Sequence, residues 1–413
     1  MMYGMLPPHV RGNIFKLNVI KFSKWFSVVM PIIVPFYQDN DLSITSIMTL
    51  KSVYAITIIV LELPSGYFSD LLGRKNMLVT GSFLGAAGYF VYSFTDSYAG
   101  FLVAEIALGA GQSFISGTDS AMLFDTLASA QKQKQYGRYE GINASVGNFS
   151  EAFAGIAGGG LALISLRLPF YVQAIIATSA IPAALTLVEP HMPRPERTHD
   201  RMKKITGVLA TIMRHEKDLR FNLLFSSIIG AATLLMAWFA QPLFEKMFLP
   251  LALFGVVWTG LNLVTGASSV LAHRIEERLG ELRTLKLIAV SIPILMILSG
   301  IVPTFAIIPV LVAFYFLRGI ATPVLKDYIN QRTGTEVRAT VMSLRDLTIR
   351  VFFSLFAPMA GWLTDHYSLG TGLAAMGGFL MVFSLLTLVL FIKYKTNSQN
   401  LVIENFTSPF DKK

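Results

Sequence analysis

Near its C-terminal end the chain reads GFLMVFSLLTLVLFI, fifteen residues without a charge, and comparable runs recur along its whole length. A bilayer core takes about 20 residues of helix, whereas a barrel strand takes about 10 with strict alternation. These runs are continuous, so helices are expected. Read against the polar breaks, spans fall near 13–37, 43–68, 77–95, 98–123, 140–165, 168–189, 221–245, 250–272, 285–302, 304–327, 340–364 and 371–393, twelve in all. Composition agrees. The chain is 53% hydrophobic and 14% charged, against roughly 25% charged in soluble domains. Outside a membrane it would expose large apolar patches. The expected fold is an all-α membrane protein with twelve transmembrane helices in two six-helix halves.

Basic residues fall on one side. Arg11, Lys16, Arg74, Lys75, Lys132, Lys134, Arg138, a cluster from Arg194 to Arg220, Arg274, Arg278, Arg283, Lys286, Lys326, Arg332, Arg338 and Arg345 share it, with the C-terminal lysines. The opposite loops offer little more than Arg167 and Lys246. Positive charge accumulates in cytoplasmic loops, so both termini are expected in the cytoplasm. The net charge of +9 is then a topology signal, and no nucleic-acid partner is expected. The longest polar interruption, 191–221, divides the spans six and six. It suggests halves at 13–189 and 220–393, a linker at 190–219 and a tail at 394–413. Within the linker, ITGVLATIM reads as a short amphipathic surface helix. The N-terminus lacks the pattern of a cleaved leader, so the first apolar segment is expected to be retained. The chain contains no cysteine, which excludes disulfides, thiol nucleophiles and thiolate metal sites. No phosphate loop ending in GK[ST], HExxH pair or GxSxG elbow is present, so neither catalysis nor a cofactor is expected.

Weak symmetry links the halves. HRIEERLGELR at the end of span eight echoes SDLLGRK at the end of span two, with Gly280 in the place of Gly73 and Glu277 in that of Asp70. Parallel six-helix repeats are one architecture of secondary transporters. ELPSGYFSDLLGRKN (61–75) contains Gly66-x-x-x-Asp70-x-x-Gly73-Arg74-Lys75. At that place in a twelve-span chain it resembles the signature loop of the major facilitator superfamily. The resemblance implies two halves that rock around a central cavity lined by spans one, four, seven and ten. It also implies that Asp70 engages the start of span eleven, near Arg338 and Thr340. The residues agree with that role. Gly66 admits a close helix, Gly73 permits a sharp turn, and Arg74 and Lys75 anchor the loop. Span five, with Gly155, Gly158, Gly159 and Gly160, is similar to the Gly-Pro-x-x-Gly-Gly segment of exporters but lacks its proline. Span four has Glu105 where many drug exporters carry an arginine. As a whole the chain looks like the bacterial drug-efflux type of proton antiporter.

Ionisable groups inside the bilayer are costly and mark functional positions. Proton-coupling candidates are Glu151 and Glu62, then Glu105 and Asp119. Substrate-cavity candidates are Lys24, Lys21, Arg318, Arg350, Asn18, Asn148 and Gln241. At about 1.5 Å per residue, Lys21 lies roughly 12 Å into span one and Glu62 roughly 9 Å from the same membrane face, close enough to pair. Lys51 and Glu105 share a depth in the opposite leaflet. Structural ion pairing and snorkelling are the alternatives for these groups. Asp125 reads as an interfacial cap. The expectation is a monomeric secondary transporter of the bacterial inner membrane, exporting a small amphiphilic or drug-like molecule against inward proton flow. Transport of an organic anion, or a non-transporting receptor of the same fold, are the alternatives.

Overall fold

A computed structural model describes residues 7–190, 216–334 and 337–394, with isolated positions between 207 and 214. Of the expected linker helix only 207 and 210–212 are described, all helical, and the C-terminal tail lies outside the described residues beyond 394. The described chain is helical: α1 (Pro8–Trp25), α2 (Ile33–Asp39), α3 (Ile44–Leu72), α4 (Arg74–Phe94), α5 (Tyr98–Ile115), α6 (Thr118–Ser129), α7 (Tyr136–Ala162), α8 (Leu168–Thr178), α9 (Ala180–Leu185), α10 (Lys217–Lys246), α11 (Leu251–Leu279), α12 (Glu281–Ile301), α13 (Ile307–Gln331), α14 (Arg338–His366) and α15 (Leu369–Tyr394).

Ten helical stretches among the described residues are long and apolar enough to cross a membrane. Twelve were expected, and the two that fall short are spans one and five. Span one is not continuous: α1 ends at Trp25, turns occupy 26–32, and α2 resumes at Ile33. Its longer piece carries Arg11, Lys16, Lys21 and Lys24. Span five, α7, is a single helix, but it carries Arg138, Glu140, Asn143, Asn148 and Glu151. Span four is also broken, because Gly117 at φ 76° separates α5 from α6.

The chain forms two compact units, 1–198 with 248–260, and 199–247 with 261–413. In the first unit the passes run to and fro between two ends. At one end Arg167 gathers three turns: its guanidinium donates to Ser93 O (3.2 Å), Thr95 O (3.1 Å) and Asn40 Oδ1 (3.1 Å), and it pairs with Asp96. At the other end α3 gives way to α4 at Gly73. An apolar core lies towards this Gly73 end. Val10, Ile14 and Leu17 form one face of α1, packed on Leu78, Leu123, Leu127 and Ala184. Close approach is set by small residues. A Cβ at Gly158 would fall 2.0 Å from the Val28 carbonyl oxygen, so α7 lies directly on the break between α1 and α2.

The second unit holds α10, α11 from Leu261 onward, and α12 to α15. Its counterpart of the Gly73 turn is Gly280, φ 77°, between α11 and α12. Beside it Arg332 on α13 pairs with Glu281 at 3.1 Å, and the Tyr328 hydroxyl donates to Glu276 at 2.7 Å. The homology of Gly73 and Gly280 read from the sequence thus corresponds to two turns of one kind. Glu277 itself faces outward and pairs with the exposed His273 at 3.2 Å. Both residues stand on α11.

The strongest buried polar assembly braces the Arg167 end of the first unit. Lys51 on α3 forms an ion pair with Glu105 on α5, both almost fully buried. The same Glu105 oxygen accepts the hydroxyls of Tyr37 (2.8 Å) and Tyr92 (2.5 Å). Phe36, Phe101 and Phe170 close around them, with Phe36 and Phe170 centroids 3.9 Å apart. One carboxylate therefore joins α2, α3, α4 and α5. Removing one partner of a buried pair strands the other charge and costs about 3–5 kcal/mol, whereas replacing both with apolar groups is often neutral. Lys51→Met and Glu105→Met are each expected to lower the thermal midpoint of the purified protein sharply, and the double variant to recover most of the loss. Single variants as stable as the parent would show that the cluster is no brace.

Candidate functional site

The two helices too polar to read as ordinary spans, α1 and α7, lie against each other in the first unit. They come together at Gly147, where a Cβ would stand 3.3 Å from the Trp25 ring and 3.7 Å from Lys21 Cε. Beside this contact opens a groove of about 720 Å³. Phe22 and Phe26 contribute from α1 and its end, their ring centroids 4.9 Å apart. From α7 come Arg138, Gly141, Ser145, Phe149 and Phe153, with Ile142, Val146 and Ser150 beside them. Their spacing of three and four residues is that of one helical face. Arg138 is the one charged residue in this lining and has no ion-pair partner among the described residues.

Behind the groove a polar chain joins α1, α6 and α7. Lys21 Nζ lies 3.3 Å from Asp119 Oδ2, with Asp119 buried and Lys21 largely so. Asp119 Oδ1 accepts the Ser120 backbone N–H (2.9 Å). The Ser120 hydroxyl donates to Glu140 Oε1 (2.8 Å), and Glu140 Oε2 is buried with no hydrogen-bond partner in the structure. Lys21 thus finds Asp119, not Glu62 as depth alone suggested. Helix rise fixes depth but not azimuth, and the kink at Gly117 turns Asp119 towards α1. Asp119 also occupies the first turn of α6, where the helix dipole favours a negative charge.

The other candidates are distributed. Glu151 and the exposed Asn148 stand on α7, Asn18 and Lys24 on α1, and Glu62 on α3, half-buried except for Asn148. Glu105 belongs to the buried brace. Gln241, Arg318 and Arg350 lie in the second unit, on α10, α13 and α14. Gln241 is fully buried, and the Arg318 guanidinium sits 5.3 Å from the Tyr315 ring centroid. Arg345, counted from sequence among the cations of the basic side, is buried: its Nε donates to Ser226 Oγ (2.6 Å) and Nη1 pairs with Asp346 (3.0 Å).

At the signature loop the side-chain surroundings of Gly66 and Asp70 lie outside the described residues, so the expected contact of Asp70 with the start of span eleven does too. The rest of the motif is well defined. Gly73, at φ 92°, ends α3 and opens α4 without an intervening loop. Glu189, just before Pro190, accepts the Arg74 N–H at Oε1 (2.9 Å) and the Lys75 N–H at Oε2 (2.7 Å). The positive φ of the turn is what calls for glycine at position 73; a Cβ there would meet the Glu189 carboxylate only at ordinary contact distance, 3.4 Å. The Arg74 guanidinium pairs with Asp125 on α6 at 2.8 Å, the residue read as an interfacial cap. Glu189, Glu140 and Arg138 were missed as candidates. Arg138 and Glu140 stand near the start of α7 and Glu189 in the irregular segment after α9, where a charge reads as ordinary solvation.

Similarity to known proteins places this geometry. The Major Facilitator Superfamily model matches residues 25–352. An uncharacterized MFS-type transporter of Methanocaldococcus jannaschii is 25% identical over 162 residues, which span 38% of this chain and only 41% of that protein. Multidrug resistance protein 2 of Bacillus subtilis is 21% identical over 374 residues, 88% of this chain and 90% of its own length. Among solved structures, the nucleoside transporter NupG superposes with a TM-score of 0.74 at 14% identity, covering 93% of this chain and 99% of its own, a likeness of fold. With its helices, its glycine-turned signature loop and a family match over most of its length, this chain belongs to the major facilitator superfamily of membrane transporters.

Proposed function

We propose that the chain is a proton-coupled exporter of a small amphiphilic or drug-like molecule, working by alternating access. The observation that carries this reading is the coincidence on α1 and α7: the passes that sacrifice apolarity are the passes that flank an aromatic groove. Polar and ionisable groups in a membrane helix are retained where they serve a path for substrate or ions. Similarity to a protein named for multidrug resistance supports the drug-like class of cargo. Coupling is assigned to Asp119 and Glu151, with Glu62 as a further acid. Asp119 exchanges its Lys21 partner for a proton as the cycle turns, and Glu151 lies on the groove helix itself. Glu105 is committed to its brace.

The Gly73 turn is assigned to the conformational cycle. Glu189 and Asp125 tie the end of α3 and the start of α4 to neighbouring passes, so the turn moves as one body with them. An N-terminal cap contributes about 1–2 kcal/mol. Glu189→Ala is expected to slow turnover severalfold while leaving substrate affinity within about twofold, a difference of only about 0.4 kcal/mol. A variant that lost affinity and kept its turnover would remove the turn from the cycle.

Reconstituted vesicles loaded with a pH indicator test the coupling. Addition of a transported amphiphile is expected to release protons down an imposed gradient, and Glu151→Gln or Asp119→Asn to abolish that flux without loss of expression. Normal pH-driven transport by a variant would remove its residue from the coupling role. Compounds that bind without moving protons or themselves would favour a receptor.

A further inference from the structure

We infer that the α1–α7 groove selects single-chain amphiphiles with one acidic group, the acid held by Arg138 and the apolar body lying among Phe22, Phe26, Phe149 and Phe153. The assignment rests on the transporter reading and deepens it by naming the charge of the substrate. Three features support it. The groove, at about 720 Å³, falls within the roughly 300–1,000 Å³ of small-molecule sites. Its charge is one-sided: Arg138 stands alone, because Lys21 and Asp119 satisfy each other and Glu140 turns to Ser120. The groove is also polarised along its length. Arg138 lies in the first turn of α7 and Phe153 fifteen residues on, about 22 Å away at 1.5 Å per residue.

A guanidinium presents a planar fork that matches a carboxylate or phosphate, and the aromatic walls accept an apolar chain without ordering it tightly. Gly141 adds the last element. No atom lies within 4 Å of where its Cβ would stand, so the floor of the groove beside Arg138 is open.

The probe is dansylaminoundecanoate, with its uncharged methyl ester as the matched control, titrated into the full-length protein in nanodiscs. The parent is expected to bind the acid at least about tenfold more tightly than the ester, the scale of a charge-assisted hydrogen bond. Arg138→Gln should erase that preference while leaving ester binding in place. Gly141→Leu, which adds bulk only to open space, should weaken both probes. Equal binding of acid and ester by the parent, or a preference that survives Arg138→Gln, would overturn the assignment. Retention of a two-chain phospholipid at the groove, lost in Arg138→Gln and seen by native mass spectrometry, would also overturn it. Proton flux separates the two readings. Flux evoked only by an uncharged or cationic amphiphile would leave the transporter standing and sink the acid site. Arg138-dependent acid binding without flux would keep the site and sink the transporter.

Discussion

A polar group in the hydrocarbon of a bilayer must be satisfied by the protein itself, and this constraint organises the structure. It explains why the buried charges come in assemblies. Lys51 meets Glu105, which also accepts two tyrosine hydroxyls, Lys21 meets Asp119, and Arg345 meets Ser226 and Asp346. Each assembly joins helices distant in sequence, so the cost of burying charge is converted into specificity of packing. Around the groove the pairing is less complete: Arg138, which is exposed, has no ion-pair partner among the described residues, and the Glu140 Oε2 atom behind it is buried without a hydrogen-bond partner.

The same constraint shapes the helix ends. Where α3 meets α4, a left-handed glycine removes the loop altogether, and the exposed N–H groups of the new helix are taken up by Glu189. At Gly280 a comparable turn is flanked by Glu276 and Glu281, which hold Tyr328 and Arg332. In both units a short, stiff turn is pinned to a neighbouring pass by carboxylates. Such a turn transmits motion between helices without absorbing it. That mechanical property suits the cycle proposed for the protein.

Much of this was legible in the chain. Long apolar runs fixed the helical class, and the Gly73-Arg74-Lys75 turn pointed to the family. The shared depth of Lys51 and Glu105 anticipated their contact. Azimuth was not legible. Lys21 was matched by depth to Glu62, but the break at Gly117 swings Asp119 round to meet it. The prolines of VVMPIIVP, Pro31 and Pro35, announce a bend in span one, but not its extent, because residues 26–32 are otherwise as apolar as a helix. The burial of Arg345 was not legible, because its partner Ser226 lies far away in sequence. Glu189 was overlooked because its work is done on backbone groups, which leave no trace in a side-chain pattern.

The central claim is that the α1–α7 groove belongs to the transport path and not to the lipid-facing surface. Because the chain has no cysteine, single cysteines can be placed without background. The most direct measurement is the reaction of a charged, membrane-impermeant thiol reagent with Ser145→Cys in the groove, compared with Phe83→Cys and Phe90→Cys on the exposed face of α4. The account predicts rapid labelling at position 145, slowed by a transported amphiphile, and almost none at 83 and 90. Labelling at 145 as slow as at 90, and indifferent to every compound that the protein moves, would contradict it.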